Sequence, residues 1–253
     1  MASEGRAMGI LQRSSSLIQL LAERGPLSTA EVAEEIGMPR PSVYRLADAL
    51  TQTRLVESTS DGKLRLSLRW LKLSDAARSG MREWSHARPL LDGLASRTGQ
   101  TIYLSVPQAD RAICIDWSPG RALSVLALKP GRTLPLYAGA AGRVTLAYRP
   151  EPLEDYLRAA PFPALTDHTL STARELRADV EATKSRGFSV SDEDVTLGIG
   201  ALGAPLINRD GMFLGALSLA GLAEDLRVRR SELSADLLAC AEELSASATI
   251  AAG

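Results

Sequence analysis

The chain contains no apolar run approaching the roughly 20 residues needed to cross a bilayer, and no basic-then-apolar leader at its start. Both absences point to a cytoplasmic protein with no membrane partner. Cysteine is scarce: Cys114 and Cys240 lie far apart without metal-ligand spacing, so in a reducing compartment they read as small buried apolar residues. Histidine is equally scarce. His86 and His168 each stand without a cysteine or histidine at ligand spacing, which points to structural roles rather than a metal site. No Gly-x-Ser-x-Gly nucleophile elbow occurs, and Gly198-Ile199-Gly200 lacks the third glycine of a dinucleotide fingerprint. It reads instead as a bulge or a close backbone approach before a strand. No metal, no cofactor and no catalytic residues are expected. An excess of charge is missing too: the net charge is −1, so the chain as a whole is no polycation.

What is present is an ordinary globular composition, 45% hydrophobic and 23% charged, in 253 residues, a length that suits one or two domains. The charge is unevenly spread. Residues 1–80 carry 11 Lys+Arg against 9 Asp+Glu, residues 40–69 carry 6 against 3, and the part beyond residue 80 is acidic by 3. That bias fits a DNA-reading module on a neutral or acidic body.

Residues 27–50 read LSTAEVAEEIGMPRPSVYRLADAL. The pattern predicts a helix over 29–36, capped by Ser28 or Thr29, with Glu31 in the first turn where the helix dipole favours a negative charge. Val32, Ala33 and Ile36 share one face, and Gly37 ends the helix. A second helix is predicted over 41–50, with Val43, Leu46, Ala47 and Leu50 inward. Arg40, Ser42, Tyr44, Arg45 and Asp48 are left outside. Helix, glycine turn, helix is the helix-turn-helix pattern, although a helical hairpin inside another fold shares it. The outward set suits a DNA groove: arginine binds guanine O6 and N7 bidentately, and serine and tyrosine hydroxyls reach phosphates or bases. Residues 55–58 and 63–66 flank an Asp61-Gly62 turn and predict a hairpin. After this helix pair it reads as the wing of a winged helix, with Lys63 and Arg65 along the phosphate backbone; an ordinary surface turn is the alternative.

Residues 1–9 read as polar and loose, and 10–22 as a helix behind the pair. Residues 68–81 predict a linker helix, with Trp70 packing at a domain or dimer contact. A second domain begins near residue 84. Helices are predicted over 86–98, 138–148, 150–160, 172–186 and 231–248, and strands over 101–106, 112–117, 123–128 and from 188, with a loop over 130–137. The strongest hairpin joins 199–207 to 212–220 around Asn208-Arg209-Asp210-Gly211. Its runs are apolar at nearly every position, so both faces of its sheet should be covered. The irregular mixture favours an α+β domain with an antiparallel sheet. The domain layout is then 1–67, a linker helix over 68–83, and 84–253.

A pocket is easier to read here than an active site. The small residues 138–142, AGAAG, would let a ligand approach backbone N–H groups at a helix start, where an anion is favoured. Ser218, on an apolar strand, would add a hydrogen bond. Close packing alone accounts equally well for both. Asp192, Glu193 and Asp194 would serve as an acid–base pair or a cation site, with a solvated loop as the simpler reading.

The whole chain from about residue 8 to 250 resembles the IclR family of bacterial transcriptional regulators. The resemblance rests on the helix pair above and on LDGLASRTGQTIYLSV, GRTLPLYAGAAGRVTLAY and RELRADVEATKSRGFSVSDEDVTLGIGALGAPLINRDGMFLGALSLAG. It implies an N-terminal winged helix-turn-helix and a C-terminal GAF-like domain that binds a small effector, often an organic or aromatic acid. It implies homodimers through the DNA-binding domains, often paired into tetramers, on an inverted-repeat operator. Carried over by position, Arg40, Ser42, Tyr44 and Arg45 would read DNA, and Ala140, Ala141, Asp192, Ile199, Ala201 and Ser218 would line the effector pocket. Pro41 stands where the family often has serine, Tyr137 where histidine is usual, Gly139 where a small hydroxyl residue is usual, and Ala220 replaces a serine of some members. These departures weaken the case for a small carboxylate such as glyoxylate and leave room for a larger, more apolar ligand. The sequence reading is therefore a ligand-responsive, sequence-specific DNA-binding regulator. Its competitors are a small-molecule hydrolase with an accessory helix pair and a dimerisation module without a ligand.

Overall fold

The computed structural model describes residues 2–121 and 128–248. The strand expected over 123–128 falls outside the described residues, Leu128 excepted. The chain divides into two compact units, Met1–Gly80 and Met81–Gly253.

In the first unit, α1 (Ala2–Arg24) starts at residue 2, so the segment expected to be loose is helical; Ala, Glu, Arg and Met there are good helix formers. Leu17 and Leu21, one turn apart, are buried in one core with residues of α2 (Thr29–Glu35) and α3 (Arg40–Gln52). Ser28 caps α2 through a complete capping box: Ser28 Oγ accepts from the Glu31 N–H at 3.2 Å, and Glu31 Oε2 accepts from the Ser28 N–H at 2.7 Å. The backbone and side-chain bonds to Ser28 hold the Glu31 carboxyl below its ordinary value of 4.5. Gly37 turns the chain at φ +63°, a conformation that suits glycine. From α3, Val43, Ala47 and Leu50 enter the core beside Val32 and Ala33. The hairpin of β1 (Val56–Ser58) and β2 (Leu64–Leu66) pairs Glu57 with Arg65. Leu27 adds a bridge to its outer edge, with N–H···O bonds of 3.0 and 2.7 Å to Leu64. Helix α4 (Arg69–Ser79) follows and buries none of its residues. Trp70 Nε1 donates to the Leu55 carbonyl at 2.7 Å. The tryptophan thus ties the first turn of α4 to the base of the wing within its own unit.

The second unit opens with a 3₁₀ turn, Arg82–Trp84, and α5 (Ala87–Thr98), which Gly99 ends at φ +73°. Strands β3 (Thr101–Gln108) and β4 (Arg111–Ser118) run longer than expected and meet at a two-residue turn. The predicted loop over 130–137 contains β5 (Thr133–Pro135). Then come α6 (Ala140–Tyr148), α7 (Leu153–Leu157), α8 (Ala173–Arg186), β6 (Ser189–Asp192), β7 (Ile199–Ile207), β8 (Phe213–Leu222), α9 (Ala223–Val228) and α10 (Arg230–Ser247). The hydrophobic pattern does not reveal the short α9. Among the described residues, six strands form one antiparallel sheet in the order β5–β4–β3–β8–β7–β6, so the domain is α+β as expected.

Side chains alternate across this sheet. Ile102, Leu104, Leu202, Leu217 and Leu219 pack with residues of α5 and α10 in the main core. The opposite face meets α6. A Cβ on Gly203 would sit 2.8 Å from the Ala140 carbonyl oxygen, and one on Gly142 would sit 2.2 Å from that of Pro135. Both glycines are therefore needed for α6 to lie this close to the sheet and to β5. Among the described residues no helix is long and apolar enough to cross a membrane.

Candidate functional site

Two surfaces carry the chemistry, one in each unit. In the first, the burial of Val43, Ala47 and Leu50 turns the opposite side of α3 outward. Arg40, Tyr44 and Arg45 are exposed there, Tyr44 at 60%, and Ser42 is half-buried. Arg40 and Pro41 form the first turn of α3, and proline is tolerated where its missing N–H would lack an intrahelical partner. Among the described residues Arg40 and Arg45 form no ion pair. The wing differs: Arg65 Nη2 lies 2.7 Å from Glu57 Oε1, and Lys63 Nζ lies 3.9 Å from Asp61. The α3 arginines are thus the cations free to meet an outside anion, and the wing arginine is partly neutralised within its own hairpin.

In the second unit a cavity of about 460 Å³ lies between the sheet and the start of α6. Ala140 and Ala141 line it from α6, Ile199 and Ala201 from β7, Ser218 and Ala220 from β8, and Tyr103 from β3. Val195 and Leu134 add apolar wall. Two exposed cations, Lys129 and Arg132, stand at the rim on the loop before β5. That loop is held to β4, since Cys114 N–H donates to the Arg132 carbonyl at 2.9 Å and Gly131 N–H to the Cys114 carbonyl at 2.8 Å.

Gly139 caps α6 at φ +72° with no side-chain cap. Its N–H donates to Asp194 Oδ2 at 3.1 Å, and Arg143 Nη1 donates to the same oxygen at 3.2 Å. Ser191 Oγ donates to the other Asp194 oxygen. Arg143 also forms a two-pronged pair with Asp179, with Nε to Oδ2 at 2.8 Å. Burial works against the Arg143 charge, but Asp179 and Asp194 outweigh it and leave the guanidinium above its ordinary value. The Asp194 carboxylate is therefore committed behind the cavity wall. Among the described lining residues none is acidic.

Tyr103 is 2% exposed, and its hydroxyl has no hydrogen-bond partner among the described residues. Burial, with a smaller contribution from Cys114, pushes the phenol well above its ordinary value. Burial also pushes the Cys114 thiol up to about 12 and Cys240 up to about 11.

Comparison with known proteins decides what these surfaces belong to. The family model for the IclR helix-turn-helix domain matches residues 10–60, and the model for the bacterial transcriptional regulator IclR C-terminal domain matches residues 78–246. The chain belongs to the IclR family. It is an IclR-family transcriptional regulator with a DNA-binding helix-turn-helix domain and a C-terminal effector domain. Among its relatives, the HTH-type transcriptional regulator Rv1719 of Mycobacterium tuberculosis is 32% identical over 243 residues, covering 94% of this chain and 91% of that one. A solved IclR transcriptional regulator from Alicyclobacillus acidocaldarius shares the fold at a TM-score of 0.79 with 23% identity, covering 95% of this chain and 99% of that chain. An IclR homolog from Microbacterium hydrocarbonoxydans, solved with 4-hydroxybenzoate, shares it at 0.72 with 18% identity, covering 90% and 98%.

In this IclR-family chain, five of the six residues expected at the effector pocket come together on one cavity: Ala140, Ala141, Ile199, Ala201 and Ser218. Asp192 does not. Its carboxylate is held by Arg227 outside the cavity, at 2.7 Å from Nη2 and 3.0 Å from Nε, and Glu193 joins the same arginine. The reason is strand periodicity. On β6 the residues alternate between faces, so Ser191 lines the cavity and its neighbour Asp192 points elsewhere. Nor is the 192–194 run one solvated loop, since Asp194 is 1% exposed. Tyr103, Lys129 and Arg132 went unnoticed in the sequence. The alternation on β3, which sends Ile102 to the main core and Tyr103 to the opposite face, was available as a signal for the first. The two cations reach the rim through a loop whose course no local pattern encodes.

Proposed function

We infer that this regulator is a ligand-responsive, sequence-specific DNA-binding protein whose effector is a small organic acid with an apolar, aromatic body, bound in the α6 cavity. The observation that carries the ligand class is the cavity's charge: among the described residues, two rim cations in no ion pair and no carboxylate in the lining, around largely apolar walls. Such a site favours an anion with an apolar body. The 4-hydroxybenzoate in the Microbacterium relative is of this class. On the DNA side, the exposed face of α3 supports Arg40, Ser42, Tyr44 and Arg45 as the reading residues, with Lys63 and Arg65 on the backbone. In the first unit Leu68 is 73% exposed, Leu71 69% and Leu11 66%. Apolar exposure on this scale supports a homodimer through this unit, as such or as a dimer of dimers, and an inverted-repeat operator follows. Effector binding acts by differential affinity for two arrangements of the subunits. The two buried thiols are held protonated and are no candidates for a reactive nucleophile.

The test is binding of the purified protein to DNA from upstream of its own gene, against an unrelated fragment at two salt concentrations. Selective binding that weakens steeply with salt is expected, as is a change in affinity on adding 4-hydroxybenzoate. Equal binding to both fragments overturns the sequence-specific reading. Unchanged affinity across a panel of aromatic and aliphatic acids overturns the acid-effector reading.

A further inference from the structure

The Tyr103 hydroxyl is buried without a partner among the described residues, on a side chain that lines the cavity. A buried hydroxyl left unpaired is costly, and native structures rarely keep one without a reason. Burial also keeps the phenol protonated, so it offers a donor at any working pH. Ser218 stands directly opposite it on β8. The charges of the lining lie elsewhere. Lys129 and Arg132 are exposed, and Arg132 immediately precedes β5, two strands from β3 in the sheet order. At the usual strand spacing that separation is about 10 Å. The inner wall carries hydroxyls, small side chains and backbone, and the nearby Arg143 is already committed to two aspartates. A carboxylate keeps most solvation at the exposed cations, which leaves a neutral acceptor for the inner end.

We propose that Tyr103 sets ligand selectivity by donating a hydrogen bond to a neutral acceptor oxygen at the end of the effector remote from its carboxylate. The ligand class is then a ring acid with a hydroxyl or carbonyl oxygen opposite the carboxylate. This deepens the effector-cavity reading above and rests on it.

The experiment is calorimetric titration of the full-length chain with 4-formylbenzoate and 4-methylbenzoate. The two share ring, charge and approximate size, and only the first presents an acceptor oxygen at the far end. Wild type should bind the formyl acid at least about tenfold more tightly, since an acid without the oxygen leaves the phenol unpaired. Tyr103→Phe should cut that preference to below about threefold, by weakening the formyl acid and not the methyl one. Equal affinities in wild type, or a preference that survives in Tyr103→Phe, overturn the proposal. Ala201→Phe, which fills the cavity, separates the two levels. Equal binding that Ala201→Phe abolishes removes Tyr103 and keeps the cavity. Binding that survives Ala201→Phe, or no binding by wild type, removes both.

Discussion

Arg143 and Asp194, 51 positions apart in sequence, meet at 3.2 Å with side chains 7% and 1% exposed. The pair joins α6 to the segment that follows β6, and the same carboxylate accepts the Gly139 N–H at the helix start. It holds the start of α6, which lines the cavity, against the segment after β6.

Removing Asp194 takes one of the two carboxylates from the buried Arg143 and leaves the Gly139 N–H and the Ser191 hydroxyl without their acceptor. Asp194→Ala should destabilise the protein by about 3 kcal/mol. The exposed wing pair is the control: Arg65→Ala, whose partner Glu57 is also solvent-accessible, should cost under about 1 kcal/mol. Denaturant midpoints compare them, and equal shifts would contradict the distinction.

Ser218→Ala should weaken the effector response and leave operator binding intact, because Ser218 lines the cavity in the second unit and the reading helix belongs to the first. Operator titration with and without 4-hydroxybenzoate measures both quantities on one sample. A full response in the variant would remove Ser218 from the ligand's contacts.

Arg45→Ala should lose about 1–3 kcal/mol of operator affinity if the guanidinium reads a base, with much less change on unrelated DNA. Arg65→Ala, whose charge is already paired with Glu57, should weaken both DNAs alike and only slightly. An unchanged operator affinity in Arg45→Ala would take that arginine off the base edges.

The α2 capping box should leave a mark on the acid limb of stability. Glu31 titrates lower in the folded chain than its ordinary 4.5, through its bonds to Ser28. Its contribution is therefore complete above about pH 4.5 and fades as pH falls through the lowered folded value. The melting temperature of wild type should exceed that of Glu31→Gln at pH 7, and the gap should close on acidification. A gap independent of pH between 7 and 3 would rule the carboxylate out as its source. Ser28→Ala should cost about 1 kcal/mol at neutral pH.

The reading helix was legible because its signals are local. Capping chemistry at Ser28 and Glu31, the turn at Gly37, and the spacing of Val43, Ala47 and Leu50 all act within a few residues, and the outward set is what that spacing leaves over. The Asn208–Gly211 hairpin and the two-sided burial of β7 and β8 were legible for the same reason. The misreadings share the opposite cause. A three-residue edge strand such as β5 exists only because β4 pairs with it, and α9 is too short to display a period.

The sequence by itself determined the order of the longer elements, the two-part organisation, the family and most of the small residues around the cavity. Propensity, capping and periodicity act between neighbours and leave their trace in the chain. Tertiary structure alone decided which of Ser191 and Asp192 faces the cavity. It also decided that Asp194 is spent on Arg143 and Gly139, that Lys129 and Arg132 stand at the rim, and that the Tyr103 hydroxyl has no partner among the described residues. Each of these depends on strand register and on contacts between segments tens of residues apart, where the partner of a polar group is chosen by packing and not by its neighbours in sequence.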